Sequence, residues 1–161
     1  MGDQDTLLDV SEVSEISDLI AQIEAIRYGM ISEGGGSIIY PVCAFDGLWD
    51  FIWFTPKALL IGWFAPFPGD LISPGTTGAM KFLGGMENIL IWCLLPSMLC
   101  GVWRSCTRPG IRAVSLFMLL FMLNLFTLLG MGVPNVGTLV RLRIPAMTLF
   151  VLFASIGLAE E

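Results

Sequence analysis

Histidine is absent from the 161 residues. That removes the side chain most often used as a general base near neutral pH, and the commonest metal ligand. Charge is scarce as well: 14% of residues are Asp, Glu, Lys or Arg, where a soluble domain carries about 25%. Cysteine is limited to Cys43, Cys93, Cys100 and Cys106, a spacing that fits neither a zinc ribbon nor a CxxC redox pair. Cys93 and Cys100 lie in an apolar run, where a thiol acts as a small hydrophobe. The triple glycine Gly34-Gly35-Gly36 lacks the Lys and Ser/Thr of a phosphate-binding P-loop and reads as a flexible turn. The acidic start, with no short apolar core, is not a signal peptide. No cofactor, metal or catalytic motif stands out, and the expectation leans away from an enzyme.

What is present is apolar. Hydrophobic residues make up 55% of the chain, and the mean hydropathy is +0.80. A soluble fold of this length cannot hide so much apolar surface, so lipid or a large partner surface is required. The charges are also segregated. Asp3, Asp5, Asp9, Glu12, Glu15, Asp18, Glu24, Glu33 and Asp46 face only Arg27 in residues 1–48. Beyond Asp50, Lys57, Lys81, Arg104, Arg108, Arg112, Arg141 and Arg143 oppose Asp70 and Glu87 until Glu160 and Glu161 close the chain. An acidic head on a basic membrane body repels nucleic acid, so no nucleic-acid partner is expected.

The fold class that follows is an all-α membrane protein. It comprises a helical hairpin plus a third span, giving three to four membrane helices behind an N-terminal amphipathic soluble helix. In residues 6–28, Val10, Val13, Ile16, Ile20 and Ile23 recur at helical steps, and Leu19 and Ile26 widen the stripe. Asp5, Thr6 or Asp9 can cap its start. With little soluble chain to make a core, this helix is expected to dock on a partner. Residues 49–68 are aromatic and interrupted by Pro56 and Lys57. They form an interfacial or re-entrant helix, or a span that tolerates Lys57.

Residues 69–161 form the membrane domain. Two spans, Gly84 to Trp103 and Arg112 to Met131, are each long enough for a ~30 Å hydrocarbon core. Arg104, Arg108 and Arg112 with Pro109-Gly110 form the loop between them, cytoplasmic by the positive-inside rule. Ile144 to Ala159 completes a third span near 139–159 if Leu139 to Arg143 adds a turn and the arginines snorkel. The implied location is a membrane, crossed several times.

Polar residues inside a membrane are costly and informative. Glu87 is read as a carboxylate in the first helical turn, offset by the dipole, or as a proton acceptor or cation partner. Cys93, Ser97 and Gly101 follow at four-residue steps and form a small-residue packing face, which Pro96 bends. Asn124 and Thr127 share a face, with Asn124 expected to hydrogen-bond to a neighbouring helix. In Pro134 to Pro145 a turn enters a helix capped by Asn135 or Thr138. Arg141 and Arg143 then either bind an anion or lipid phosphate with Asn135 and Thr138, or snorkel to water. Two residues apart on a helix point ~200° apart, so both line one pocket only if the helix breaks, which Pro145 favours.

Several stretches together resemble the C-terminal part of poorly characterised bacterial integral membrane proteins associated with cell-envelope polysaccharide and glycosyltransferase systems. They are Tyr28-Gly29 through Gly34-Gly35-Gly36-Ser37, Thr55-Pro56-Lys57-Ala58-Leu59, Ala65-Pro66-Phe67-Pro68 and Asn135 to Arg143. The resemblance runs from about Arg27 onward and is most specific at Asn135 to Arg143. It implies a lipid-linked glycan as a possible partner and assigns no catalytic residue. This chain departs from those proteins in being short and lacking upstream spans, as a split or truncated relative would. Two functions are expected from the residues and the resemblance. The first is a small structural or accessory subunit packing against other integral membrane subunits and lipid. The second is a component of envelope-glycan assembly holding a saccharide-linked phosphate through Arg141 or Arg143.

Overall fold

The computed structural model describes residues 4–33, 38, 45, 47–67 and 78–159. The triple-glycine turn, Cys43, the polar loop at 69–77 and the closing Glu160 and Glu161 lie outside the described residues. Among those described, six helices follow one another: α1 (Gln4–Ser32), α2 (Leu48–Phe64), α3 (Gly78–Thr107), α4 (Arg112–Gly132), α5 (Val136–Leu142) and α6 (Ile144–Leu158). The protein is all-helical over these residues. Gly84–Thr107 and Arg112–Gly132 are each long and apolar enough to cross a membrane. A third crossing exists if α5 and α6, bent by 54° at Arg143, count as one.

Helix directions follow from what meets at each end. The residues joining α3 to α4 form a tight hairpin, with Arg112 N–H donating to the Arg108 carbonyl at 3.0 Å. At the opposite end, Arg143 reaches both Glu87 in α3 and the carbonyls at the C-terminus of α2. So α2 and α4 run one way, and α3 and α6 run the other. α2 continues through Pro56 rather than stopping there; the ring costs one backbone hydrogen bond. The expected interruption at Pro56 and Lys57 is therefore not an end.

Two close helix contacts pair α2 with α4 and α3 with α6. α2 lies against α4 with Gly62 and Gly130 at the crossing. A Cβ on Gly62 would sit 1.9 Å from the Phe126 carbonyl oxygen, and one on Gly130 would sit 1.8 Å from that of Ala58. α3 lies against α6 in the same way: Gly101 faces the Phe153 carbonyl and Gly157 faces that of Ser97. Each pair is reciprocal, which is the small-residue packing that lets membrane helices approach backbone to backbone. The α2–α4 contact also repeats a motif. Gly62-Trp63-Phe64-Ala65-Pro66 and Gly130-Met131-Gly132-Val133-Pro134 share the pattern Gly-x-x-Ala/Val-Pro. Ala65 and Val133 fall in one buried cluster, and Pro66 and Pro134 are both fully buried.

The central core is Ile91, Met98, Met122, Phe126, Ala146, Phe150, Phe153 and Ala154. Trp63 stacks on Phe126 with centroids 5.4 Å apart and meets Phe150 edge-on. α1 docks on this body through Ile20 and Arg27, both buried, with Ile23 half-buried between them. Ile16, Leu19 and Ile26 stay exposed.

Adding a side chain at a crossing must push backbones apart. Gly130→Ala and Gly157→Ala should each cost about 1–3 kcal/mol, the range for overpacking. Gly110→Ala, where a Cβ meets nothing within 4 Å, should leave stability unchanged. Thermal unfolding of the detergent-solubilised protein measures all three.

Candidate functional site

The polar centre of the protein lies where α2 ends. Pro66 has no N–H to return to the helix, and the last carbonyls of any helix lack partners within it. In an apolar surround those carbonyls need donors. They come from two other helices. Arg143 donates through Nη1 to the carbonyls of Ala65 at 2.7 Å and Trp63 at 3.3 Å. Asn88 donates through Nδ2 to those of Phe64 at 2.8 Å and Pro66 at 2.6 Å.

Arg143 is 0% exposed, and the remaining edge of its guanidinium is also engaged. Nε donates to Glu87 Oε1 at 3.0 Å, and Nη2 lies 2.9 Å from Glu87 Oε2, a bidentate pair. Nη2 also donates to Asn88 Oδ1 at 3.3 Å. A guanidinium has five N–H groups, and each has an acceptor here. The Glu87 carboxylate cancels the charge while keeping 29% side-chain exposure.

The local sequence explains how Arg143 reaches this place. Arg143 ends α5 and begins α6, and Pro145 opens α6. The chain turns there, so Arg143 points inward while Arg141 is exposed. Arg143 therefore does not snorkel to water. Glu87 is also not in a first helical turn, because α3 starts at Gly78; what it answers is Arg143. Asn135, not Thr138, caps α5, its Oδ1 accepting from the Gly137 N–H at 2.9 Å. Ile38 pairs with Asn135 in an isolated antiparallel bridge, tying the segment after α1 to this turn. The structure thus takes Arg143 out of the group of residues read as one anion site. Arg143 is saturated, Asn135 is spent on a cap, Thr138 is half-buried, and Arg141 faces outward.

Two more arginines do the same work elsewhere. Arg27, 1% exposed, donates to the carbonyls of Gly130 and Met131 at the end of α4 and lies over the Phe54 ring. Arg104 donates to the Gly157 carbonyl at the end of α6, at 2.9 Å. The packing residues divide. Ser97 and Gly101 abut α6, while Cys93 is exposed and a free thiol. Ser105 extends this face by one more four-residue step and is buried. Thr127 donates to its own helix at the Leu123 carbonyl, and Asn124 is exposed. Among the described residues, the buried polar atoms without a partner are Trp63 Nε1 and Ser105 Oγ, and no group of His, Cys, Asp or Glu could hold a metal ion. Asn88, the second donor to the end of α2, is a site residue that apolar length and charge alone do not single out. The signal that could have marked it is its place beside Glu87, one position from a residue that needs a partner.

No family model, curated protein or solved structure matches the chain.

Removing one member of this knot strands the others. Arg143→Met should destabilise by about 3–5 kcal/mol, as for other buried pairs broken on one side. Arg143→Lys should fail as well, because an ammonium cannot serve acceptors spread over a planar fork. Arg143→Met combined with Glu87→Met should regain part of the loss. A double-mutant cycle on unfolding in detergent reads the coupling. Additive losses would show that the pair is not a unit.

Proposed function

We propose that the chain is a small structural or accessory subunit of a bacterial plasma-membrane complex, packing its helices against those of partner subunits. The observation that carries this reading is where the buried cations go. Arg27 and Arg143 are both directed at backbone carbonyls of their own chain, which is construction rather than substrate chemistry. The acidic α1 adds support. Its inner stripe is docked, yet Ile16, Leu19, Ile26 and Tyr28 remain uncovered, an apolar edge suited to a partner helix outside the bilayer. The hairpin with Arg104, Arg108 and Arg112 faces the cytoplasm in this reading, by the positive-inside rule.

The envelope-glycan reading rests on the resemblance and on Arg141. With Arg143 saturated, Arg141 is the arginine of that pair left to meet a lipid phosphate from an exposed position.

Extraction of native membranes in mild detergent should yield a second integral membrane polypeptide at fixed stoichiometry. Combining Leu19→Asp with Ile26→Asp should release it, while Arg141→Ala should leave it in place. Recovery of the chain alone from native membranes at every detergent concentration would count against the subunit reading. Phosphate-dependent lipid binding that Arg141→Ala abolishes would favour the glycan reading.

A further inference from the structure

Asn124 is a polar residue that the fold leaves unanswered. It lies twelve residues after Arg112 and eight before Gly132, the ends of α4, or about 18 Å and 12 Å from them along the axis. Its side chain is exposed, and no hydrogen bond among the described residues reaches it. Thr127, a turn later, turns its hydroxyl onto its own helix. A carboxamide, with two N–H donors and a carbonyl acceptor, wants partners of both kinds. Facing hydrocarbon, it has none.

Its neighbours on the same face are ordered. Val114, Phe117, Phe121, Asn124 and Leu128 follow at steps of three, four, three and four, and all are exposed. That is the 3.5-residue seam along which two helices coil about each other left-handedly, with one polar position inside it. Phe117 and Phe121 already stack, centroids 6.4 Å apart, into one aromatic shelf along the seam. α4 uses different residues for its own chain: Ser115, Met122, Phe126, Leu129, Gly130 and Met131 are the buried ones. The outward seam is therefore free of any internal role.

We propose that this seam is the interface with a second copy of the chain. The two α4 helices run parallel about a two-fold axis along the membrane normal, with Asn124 against Asn124. This rests on the packing role proposed above and names one partner for it. The amide argues for a second copy because it is self-complementary. Under two-fold symmetry each Asn124 donates to and accepts from the other. A lone polar residue in an apolar seam also fixes register and copy number, so the dimer is closed rather than an open array.

The test uses the purified full chain, labelled once at its amino terminus, in liposomes over a range of lipid-to-protein ratios. Photobleaching steps count the copies. Wild type should pass from one step to two as protein density rises. Asn124→Leu should weaken this association about tenfold, Phe117→Ala should weaken it too, and Asn124→Gln should keep it. Leu99→Ala, at an exposed position of α3, should change nothing. A wild type that stays monomeric at every density overturns the proposal, as does a dimer that Asn124→Leu and Phe117→Ala leave intact. The subunit reading can fail or survive separately. A liposome monomer that still co-extracts with another polypeptide at fixed stoichiometry removes the second copy as the occupant and keeps the packing role.

Discussion

A backbone carbonyl at the end of a helix has no N–H of its own chain turn to meet it, and in an apolar surround water cannot supply one. The whole arrangement here answers that constraint. α2 ends on Arg143 and Asn88, α4 on Arg27, and α6 on Arg104. In each case the donor comes from a different helix. Closing a helix end and attaching it to its neighbour are then one interaction. The favourable end of the dipole is used as well, since each cation sits at a C-terminus. Aliphatic residues could fill the same volume but could not satisfy the carbonyls.

Burying an arginine is expensive unless its charge and all its donors are met. Glu87 meets the charge, and it is placed to do so by the parallel course of α3 and α6. Fourteen residues separate Glu87 from Gly101, and the same number separates Arg143 from Gly157. The ion pair at one end and the glycine crossing at the other are therefore in register on the two helices. The crossing brings the backbones close enough for Arg104 to reach the Gly157 carbonyl, and the pair holds the other ends together. Neither contact would have its geometry without the other. The Gly62–Gly130 crossing plays the matching part for α2 and α4. It sets the end of α2 beside the α5–α6 bend, where Arg143 waits.

Much of the architecture was readable from hydropathy. The two helices long and apolar enough to cross a membrane, the hairpin between them and the bend between α5 and α6 follow from apolar length and from Pro145. The opposition of Arg141 and Arg143 was readable too, since it needs only the helical repeat. What was not readable is which arginine turns inward. Charge and spacing are the same for both; the choice is made by the carbonyls of residues 63–66, far away in sequence. The same holds for Glu87, whose partner lies 56 residues on. α3 begins at Gly78, ahead of the apolar run, so Glu87 lies beyond the first turn on which the helix dipole acts. The repeated Gly-x-x-Ala/Val-Pro is plain in the sequence at residues 62–66 and 130–134. Its meaning appears only when Gly62 and Gly130 are seen to meet.

Asn88 and Asn124 make the contrast that decides how the outer surface should be viewed. Both are carboxamides in long apolar helices, and the local difference is that Asn88 stands beside Glu87 while Asn124 lies between two leucines. Asn88 is buried, donates to two carbonyls and accepts from Arg143. Its cost of desolvation is offset within the chain. Asn124 carries the same polar groups to an exposed seam of aromatic and aliphatic residues. An apolar residue there would suit lipid better, and a packing role inside the chain is closed to it by geometry. An amide in that position gains stability only from a surface that is not part of the same chain. Helix-end carbonyls and Asn124 thus pose one problem, unmet polar groups in an apolar medium. The chain solves the first internally and presents the second outward.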